Sequence, residues 1–428
     1  MPLPIVTLSA RGADRVKSGH PWVYRSDVRK SSAQPGDLVR VESERGRPLG
    51  TALWSSTSQI SLRFLGPDDV SDEREMFRDR LRAALAFRDT LAIDATAWRA
   101  VNAEADRLPG LIVDVYGDPS TPGESGGRSG QGPSTSSGQG PSTSSGQGPS
   151  TSSGQGGRVV VVQTLTQGMD RRLALITDVL VELLAPVGVL ARNDPKVRRL
   201  EGLAEETVVT FGEVPDIVDV REGPVRYAVD VRLGQKTGLF LDQRENHEAA
   251  MRYARGRGLD AFSYHGGFAL RLAARCDAVV ALDSSAPAIA QLKANAARNG
   301  LANIEARETN VFDELREFEI ARQRFDTIVL DPPAFAKNKA SVERAAAGYK
   351  EINLRALKLL TPNGCLITCS CSSNIDEVMF QDILEHAAAD ARVTVALVEK
   401  RSQARDHPVL LAAPETHYLK CLVLRKLA

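Results

Sequence analysis

The sequence predicts an α/β protein in three units: an N-terminal β-barrel, a small central α+β domain and a C-terminal doubly wound sheet. Three observations carry this. From about residue 195 onward, apolar strand-like runs alternate with helical stretches. The first 70 residues instead hold short β-rich runs broken by turn residues. Between these regions, two strand-like runs flank an octapeptide repeat. The expected units are 1–71, 72–194 and 195–428.

In the first unit, Asp37–Glu42, Leu49–Trp54 and Gln59–Phe64 are β-rich, and Pro35, Gly36, Gly46 and Pro48 punctuate them. Residues 72–93 turn to helical periodicity, with Asp72, Glu73 and Glu75 where the helix dipole favours acids. The second unit has strands at Leu111–Tyr116 and Arg158–Gln163 and a helix at Asp170–Leu184. The repeat Ser-Gly-Gln-Gly-Pro-Ser-Thr-Ser starts at Ser129, Ser137 and Ser145. It has no apolar or charged side chain to bury, so residues from about 119 to 157 are expected to form a disordered insertion. A loop tolerates such an expansion because closure entropy grows slowly with length.

The third unit has strands at Leu259–Phe262, Ala278–Asp283, Asn303–Arg307, Phe325–Asp331, Cys365–Ser370 and Val393–Val398. Helices at Phe268–Ala274, Ala286–Asn299 and Val342–Leu360 intervene. A last strand, Tyr418–Lys426, follows its predecessor without a clear helix and is expected to run antiparallel.

Lysine plus arginine equals aspartate plus glutamate, 54 against 54, so no global charge advertises an anionic partner. Residues 1–65 do carry ten basic side chains against five acids, a local +5 that includes Arg11, Arg15, Lys17 and Arg25. That excess hints at a nucleic acid, although an unevenly charged solvated surface explains it as well. The five cysteines are odd in number and form no Cys-x-x-Cys pair, which argues against a disulfide framework and a metal site. No signal-peptide pattern opens the chain and no run reaches the ~18 apolar residues of a membrane span. A cytoplasmic protein with no membrane partner is expected.

Ligands of a doubly wound sheet bind at the carboxyl ends of its strands, so the chemistry is read there. The first strand runs into Asp260-Ala-Phe262-Ser-Tyr264-His-Gly266-Gly267, a tight turn allowing close backbone approach. The second ends in Asp283, an acid placed to accept two ribose hydroxyls. No Gly-x-Gly-x-x-Gly is present, so adenosine with an amino-acid tail fits better than a pyrophosphate. The fourth strand ends in Asp331-Pro332-Pro333, where two prolines stiffen the backbone and remove two donors. The fifth carries Cys365, Cys369 and Cys371, which alternation puts on one face. Free cysteines are often core residues. Cys371, at or past the strand end, is the one a substrate could reach. A thiolate there could add to C6 of a pyrimidine and turn C5 into a carbanion able to take a methyl group. The polar segment Gly234–Asn246 suggests a loop closing over a ligand, although a hairpin and a helix start would read the same.

Together these residues resemble the ribosomal large-subunit cytosine-5 methyltransferase family, with a PUA domain and a central α/β domain before a class I, Rossmann-like catalytic sheet. Arg15–Asp27 with Gly-His-Pro-Trp-Val-Tyr at 19–24, Leu108–Asp114, Gly234–Asn246, Asp260–Gly267, Asp331–Phe335, Ser370-Cys371-Ser372 and Asp406-His-Pro408 with Pro414-Glu415 carry the likeness over nearly the whole chain. The resemblance implies S-adenosylmethionine as cofactor, held by Gln243, Phe262, Tyr264, Gly266, Gly267, Asp283, Asn310 and Asp331. It implies Cys371 and Asp331 as catalytic, and the local basic excess makes Arg11, Arg15, Lys17 and Arg25 the residues expected on the RNA. The product would be 5-methylcytosine in large-subunit (23S) ribosomal RNA. Asn310 departs from the family, which often has an acid there, as does Ala334, where a lysine is common. Two other readings stand beside this one: a methyltransferase acting on an exocyclic base nitrogen through Asp331 and the prolines, and a non-catalytic RNA-binding protein. A homodimer is one open form of assembly.

Overall fold

The computed structural model describes residues 2–118, 157–336 and 341–428. The repeat insertion lies outside the described residues. Around a core of Val6, Leu8, Val23, Val39, Val41 and Leu62, residues 5–66 form a six-stranded sheet. It includes strands at Ile5–Leu8 and Val28–Ser31 and a helix, Ala10–Lys17, that the sequence reading did not assign. The helix Glu73–Thr90 follows, with Asp72 as its N-cap accepting the Glu75 amide at 3.1 Å.

The central unit is a five-stranded sheet whose last strand, Glu206–Gly212, pairs antiparallel with Gly188–Asn193. This carries the central sheet past the boundary expected at 194, because Val209 and Val208 pair with Leu190 and Ala191. Leu38, Leu53 and Leu65 of the first unit share one apolar core with Phe77, Leu81, Val113 and Ile176. Arg63 crosses between units to Glu201 at 2.8 Å. A hairpin, Val218–Glu222 with Val225–Val229, then leads toward the catalytic unit.

The catalytic unit is built on one seven-stranded sheet. Its strands are β1 (Arg257–Ala261), β2 (Ala278–Asp283), β3 (Ile304–Glu308), β4 (Phe325–Leu330), β5 (Leu360–Ser370), β6 (Val395–Arg401) and β7 (Lys420–Lys426). Its helices are α1 (Arg244–Tyr253), α2 (Gly267–Ala273), α3 (Ala286–Arg298), α4 (Val311–Ile320), α5 (Val342–Leu359) and α6 (Glu377–Ala391). The order is β3-β2-β1-β4-β5-β7-β6, and β7 is antiparallel to both neighbours. One face packs Phe318, Tyr349, Ile352 and Phe380 of α4, α5 and α6, and the other packs Ala250, Phe268, Leu272 and Leu292 of α1, α2 and α3. Both faces of the parallel strands are thus covered, which is why they read as continuous apolar runs.

The Asp406-His-Pro408 segment clamps the units together. Asp406 accepts hydrogen bonds from the Arg99 amide at 2.9 Å and Arg244 at 2.8 Å, and Asn102 donates to the Pro408 carbonyl at 3.0 Å.

Candidate active site

At the carboxyl edge of β1, β2 and β4 the chain encloses a cavity of about 610 Å³. The turn after β1 forms one wall. Phe262 (φ 70°) and Tyr264 (φ 45°) both adopt left-handed backbone, which costs non-glycine residues about 1–3 kcal/mol each and is concentrated at ligand sites. The Phe262 and Ser263 amides both donate to the Leu282 carbonyl at 2.9 Å, which holds the turn against the end of β2. Gly266 (φ 91°) ends that turn as the cap of α2, and a Cβ there would meet Leu292 at 3.0 Å. Gly266 does not line the cavity, contrary to its expected place under the cofactor; Gly267 does. A Cβ on Gly267 would fall 2.5 Å from the His247 ring, so this position is kept bare for the histidine.

Asp283 lies on the wall with each carboxylate oxygen accepting one backbone amide, Tyr264 and Ser285, both at 2.9 Å. A carboxylate oxygen can accept more than one donor, so both remain open to a pair of hydroxyls. Asn310 caps α4 through its Oδ1, which accepts the Phe312 amide at 2.9 Å; its amide nitrogen has no such duty. Phe262, Phe312 and Phe335 line the apolar part of the cavity.

In the other half, the Gln243 Nε2 donates to Asp331 Oδ1 at 2.8 Å, and Asn246 Nδ2 donates to the Gln243 oxygen at 2.7 Å. Gln243 lines the cavity and holds Asp331 in this structure. Burial, with the nearby Asp242 charge, pushes the Asp331 carboxyl up to about 6. Cys371 faces the same space. Burial, then the Asp331 charge, pushes its thiol up to about 11. Cys369 is fully buried and pairs in register with Cys421. Cys365 is buried too.

Several lining residues were not singled out from sequence. Lys236 Nζ and Tyr418 OH both donate to Asp242 Oδ2, at 2.6 and 2.8 Å. Burial would raise the Asp242 carboxyl, but Lys236 and its other partners hold it well below the usual range. Tyr264 accepts the Gln235 amide at 2.8 Å on its hydroxyl, tying the 234–246 segment to the turn after β1. The density of polar residues around Gly234 and Gly238 was a signal for Lys236 and Asp242. Tyr418, just before a plain apolar strand, gave none. Glu222, from the hairpin outside the sheet, also reaches the cavity and pairs with His247 Nδ1 at 3.0 Å.

A doubly wound sheet with an antiparallel seventh strand, and a nucleoside-sized cavity with an acid on β2, defines a class I methyltransferase. The family described as S-adenosylmethionine-dependent methyltransferase matches residues 199–425, and the PUA-like domain matches residues 6–66. The chain belongs to that methyltransferase family, and S-adenosylmethionine is its cofactor. Ribosomal RNA large subunit methyltransferase I of Tolumonas auensis is 36% identical over 426 residues, covering 96% of this chain and 97% of that protein. The protein of that name from Aeromonas salmonicida is 36% identical over 416 residues, 95% of each chain. The crystal structure of SMU.776 complexed with SAH shares the fold, with a TM-score of 0.78 at 20% identity over 98% of this chain and 99% of that one.

The residues present fit the cofactor. Asp283 offers acceptors for a ribose, and Phe262 and Phe312 offer a wall for adenine. The far end of the cavity is lined by Tyr227 and by Glu222, which is paired with His247 at 3.0 Å and Arg271 at 3.3 Å. Asp260 is buried and is not part of the cavity wall, and neither of its carboxyl oxygens has a well-formed hydrogen bond among the described residues. Burial pushes Asp260 well above the usual range, with only the Ala269 amide favouring its charge. Asp283→Ala should weaken S-adenosylmethionine binding by about 2 kcal/mol, roughly 30-fold. Unchanged affinity in titration calorimetry would remove Asp283 from the ribose.

The basic residues expected on RNA are largely engaged locally. Arg11 and Arg15 share Asp27, at 2.6 and 4.0 Å, Lys17 pairs with Asp14, and Arg25 donates to the Ser58 carbonyl. The helix Ala10–Lys17, which carries Arg11, Arg15 and Lys17, ends near the catalytic unit, where His20 lies 3.9 Å from Glu415. Among the described residues no cluster of three or more His, Cys, Asp or Glu could hold a metal, and no helix is long and apolar enough to cross a membrane.

Proposed function

We propose that the protein forms 5-methylcytosine in large-subunit ribosomal RNA through a covalent bond between Cys371 and C6 of the base. The observation that carries this reading is that Cys371, alone among the five cysteines, lines the cavity, beside Asp331. The names of the relatives support the substrate class.

The residues of the chain divide the work. The Cys371 thiol loses its proton to solvent, and the thiolate adds to C6. The S–C6 bond forms as the C5=C6 electron pair moves onto C5. In this reading Asp331, on the cavity wall, meets the N3 edge of the base. Held near neutrality by burial, it can give a proton to N3 as charge builds there. S-adenosylmethionine, when bound, supplies the electrophilic methyl group that such a carbon takes. N3 returns its proton to Asp331, the C5 proton leaves to water, and elimination breaks the S–C6 bond and restores the thiolate. Phe335, flanked by Phe312 at 5.9 Å and Tyr349 at 4.7 Å, gives the base an apolar surface after it leaves its stack.

The test is nucleoside mass spectrometry of large-subunit RNA treated with the enzyme and labelled cofactor. Label in 5-methylcytidine supports the reading, and label in 5-methyluridine or an N-methylated base overturns it.

RNA capture is assigned to the N-terminal domain and its basic helix, acting through phosphate and shape contacts. Deleting residues 1–70 is a poor test, since Leu38, Leu53 and Leu65 belong to the central core. Arg11 and Lys17 have side chains 68% and 63% exposed, and glutamine at position 11 keeps a donor for the buried Asp27, so the fold is checked by the denaturation midpoint of the variant. Arg11→Gln with Lys17→Gln should lower the slope of log affinity against log salt by about 1.5–2. Cofactor affinity should not move. An unchanged salt slope would take these residues off the RNA.

A further inference from the structure

We infer that Lys420 is the cation that stabilises Cys371 as a thiolate, acting from beneath the floor of the cavity as a positioning residue. This rests on the reading of Cys371 as the nucleophile. Lys420 opens β7, and the register pairs it with Ser370 on β5, so its side chain reaches the turn that carries Cys371. It is 2% exposed and does not line the cavity, while Tyr418 and Leu419 before it do. Its Nζ donates to the Ser372 carbonyl at 2.7 Å and the Tyr418 carbonyl at 2.9 Å. It forms no ion pair among the described residues. A buried ammonium with only neutral partners is disfavoured, and such groups cluster where a charge must be stabilised.

The charged groups around Cys371 come from three elements. Asp331 after β4 and Asp242 from the 234–243 segment oppose a thiolate, and Lys236 and Lys420 favour one. Lys236 is already matched to Asp242 at 2.6 Å, and its charge is largely spent there. Lys420 is the unmatched cation. Facing it are Cys371 and Asp376, whose carboxylate caps α6 by accepting the Met379 amide at 2.8 Å. Burial lowers the Lys420 ammonium to about 8, so it is charged at neutral pH and lost in mild alkali. Ionising Cys371 favours keeping Lys420 protonated, and a protonated Lys420 favours ionising Cys371.

The experiment uses the full-length protein without RNA and follows iodoacetamide alkylation of Cys371 by peptide mass spectrometry across pH 6–10. Lys420→Met should slow alkylation at pH 7.5 about tenfold, the effect of one pKa unit, and slow methyl transfer alike. The KM for RNA and the cofactor affinity should stay put. A Lys420→Met protein with wild-type alkylation rates overturns the inference. Should that variant not fold, Lys420→Arg decides. Arginine keeps its proton throughout this range, so its alkylation rate should keep climbing past pH 8, where the wild-type curve bends as Lys420 discharges. A bend at the same pH in Lys420→Arg overturns the inference too. If Cys371→Ala keeps full methyl transfer, the nucleophile reading has failed. If only the Lys420 variants are silent, the failure is confined to this inference.

Discussion

Cys371→Ala should abolish methyl transfer, by about 10⁴-fold or more, while cofactor and RNA binding persist. Pyrimidine C5 has no nucleophilic character until C6 carries an addend, so removing the addend removes the reaction rather than slowing it. Cys369→Ala should behave differently. Its side chain is fully buried and faces Cys421 across the β5–β7 ladder, out of reach of the cavity. Losing that sulfur should cost about 1 kcal/mol of stability and leave turnover within a few-fold. The two variants are two positions apart, Cys369 within β5 and Cys371 just past its end, so together they separate access from mere proximity. RNA containing 5-fluorocytidine gives the direct readout. Fluorine cannot leave C5 as a proton does, so wild-type enzyme should accumulate a denaturation-resistant adduct that peptide mapping assigns to Cys371. An adduct on Cys369 would overturn the choice of residue. Full activity in the double alanine variant would move the enzyme to nitrogen chemistry, with Asp331 and the carbonyls beside Pro332 and Pro333 holding an amino group.

Asp331→Asn should lower kcat by about 10²–10³ while making Cys371 react faster with iodoacetamide. The opposite signs follow from one charge. Asp331 stands just past β4 with its carboxyl pushed up to about 6, so near pH 7 about a tenth of it carries the proton that N3 needs. Asparagine keeps the acceptor that Gln243 holds but cannot deliver that proton. It also removes the negative charge that helps keep the Cys371 thiol near 11, so thiolate becomes more abundant. A variant that lost both turnover and thiol reactivity would point to a collapsed site and defeat this account. Stability gives an independent sign. The Asp331 carboxyl titrates near 3.8 when unfolded and about 6 when folded, so the folded state binds the extra proton. Stability from this group is fully present below about pH 4 and falls as pH rises through 6. Asp331→Asn should therefore match the wild type at pH 4 and exceed it at pH 7.5, by at most about 3 kcal/mol. Equal denaturation midpoints at both pH values would show that Asp331 is not held in a charge-averse environment.

The sequence by itself determined whatever rests on local pattern. β2 is predicted residue for residue, because Ala278–Asp283 is an apolar run ending in an acid before a Ser-Ser turn. The antiparallel β7 could be expected because no helix separates it from its predecessor, and antiparallel neighbours need none. Ligands of this fold bind at strand ends, so Asp283, Asp331 and Cys371, all of which line the cavity, could be named before any coordinates.

Contacts between elements far apart in the chain were decided only by the tertiary structure. The strand Glu206–Gly212 looks like any alternating segment, and only its partner Gly188–Asn193 assigns it to the central sheet. That the Gln243 amide meets Asp331, 88 positions away, follows only from the fold. Gly266 and Gly267 are adjacent and alike in sequence. Leu292 and His247, from helices on either side in the chain, make one a bare turn and the other cavity wall. Lys420 gives the clearest case. One lysine at the start of an apolar strand is an ordinary surface residue by pattern. Its burial beneath Cys371 follows from β7 slotting between β5 and β6, an arrangement set by pairing energies summed over the whole sheet, which no local window contains.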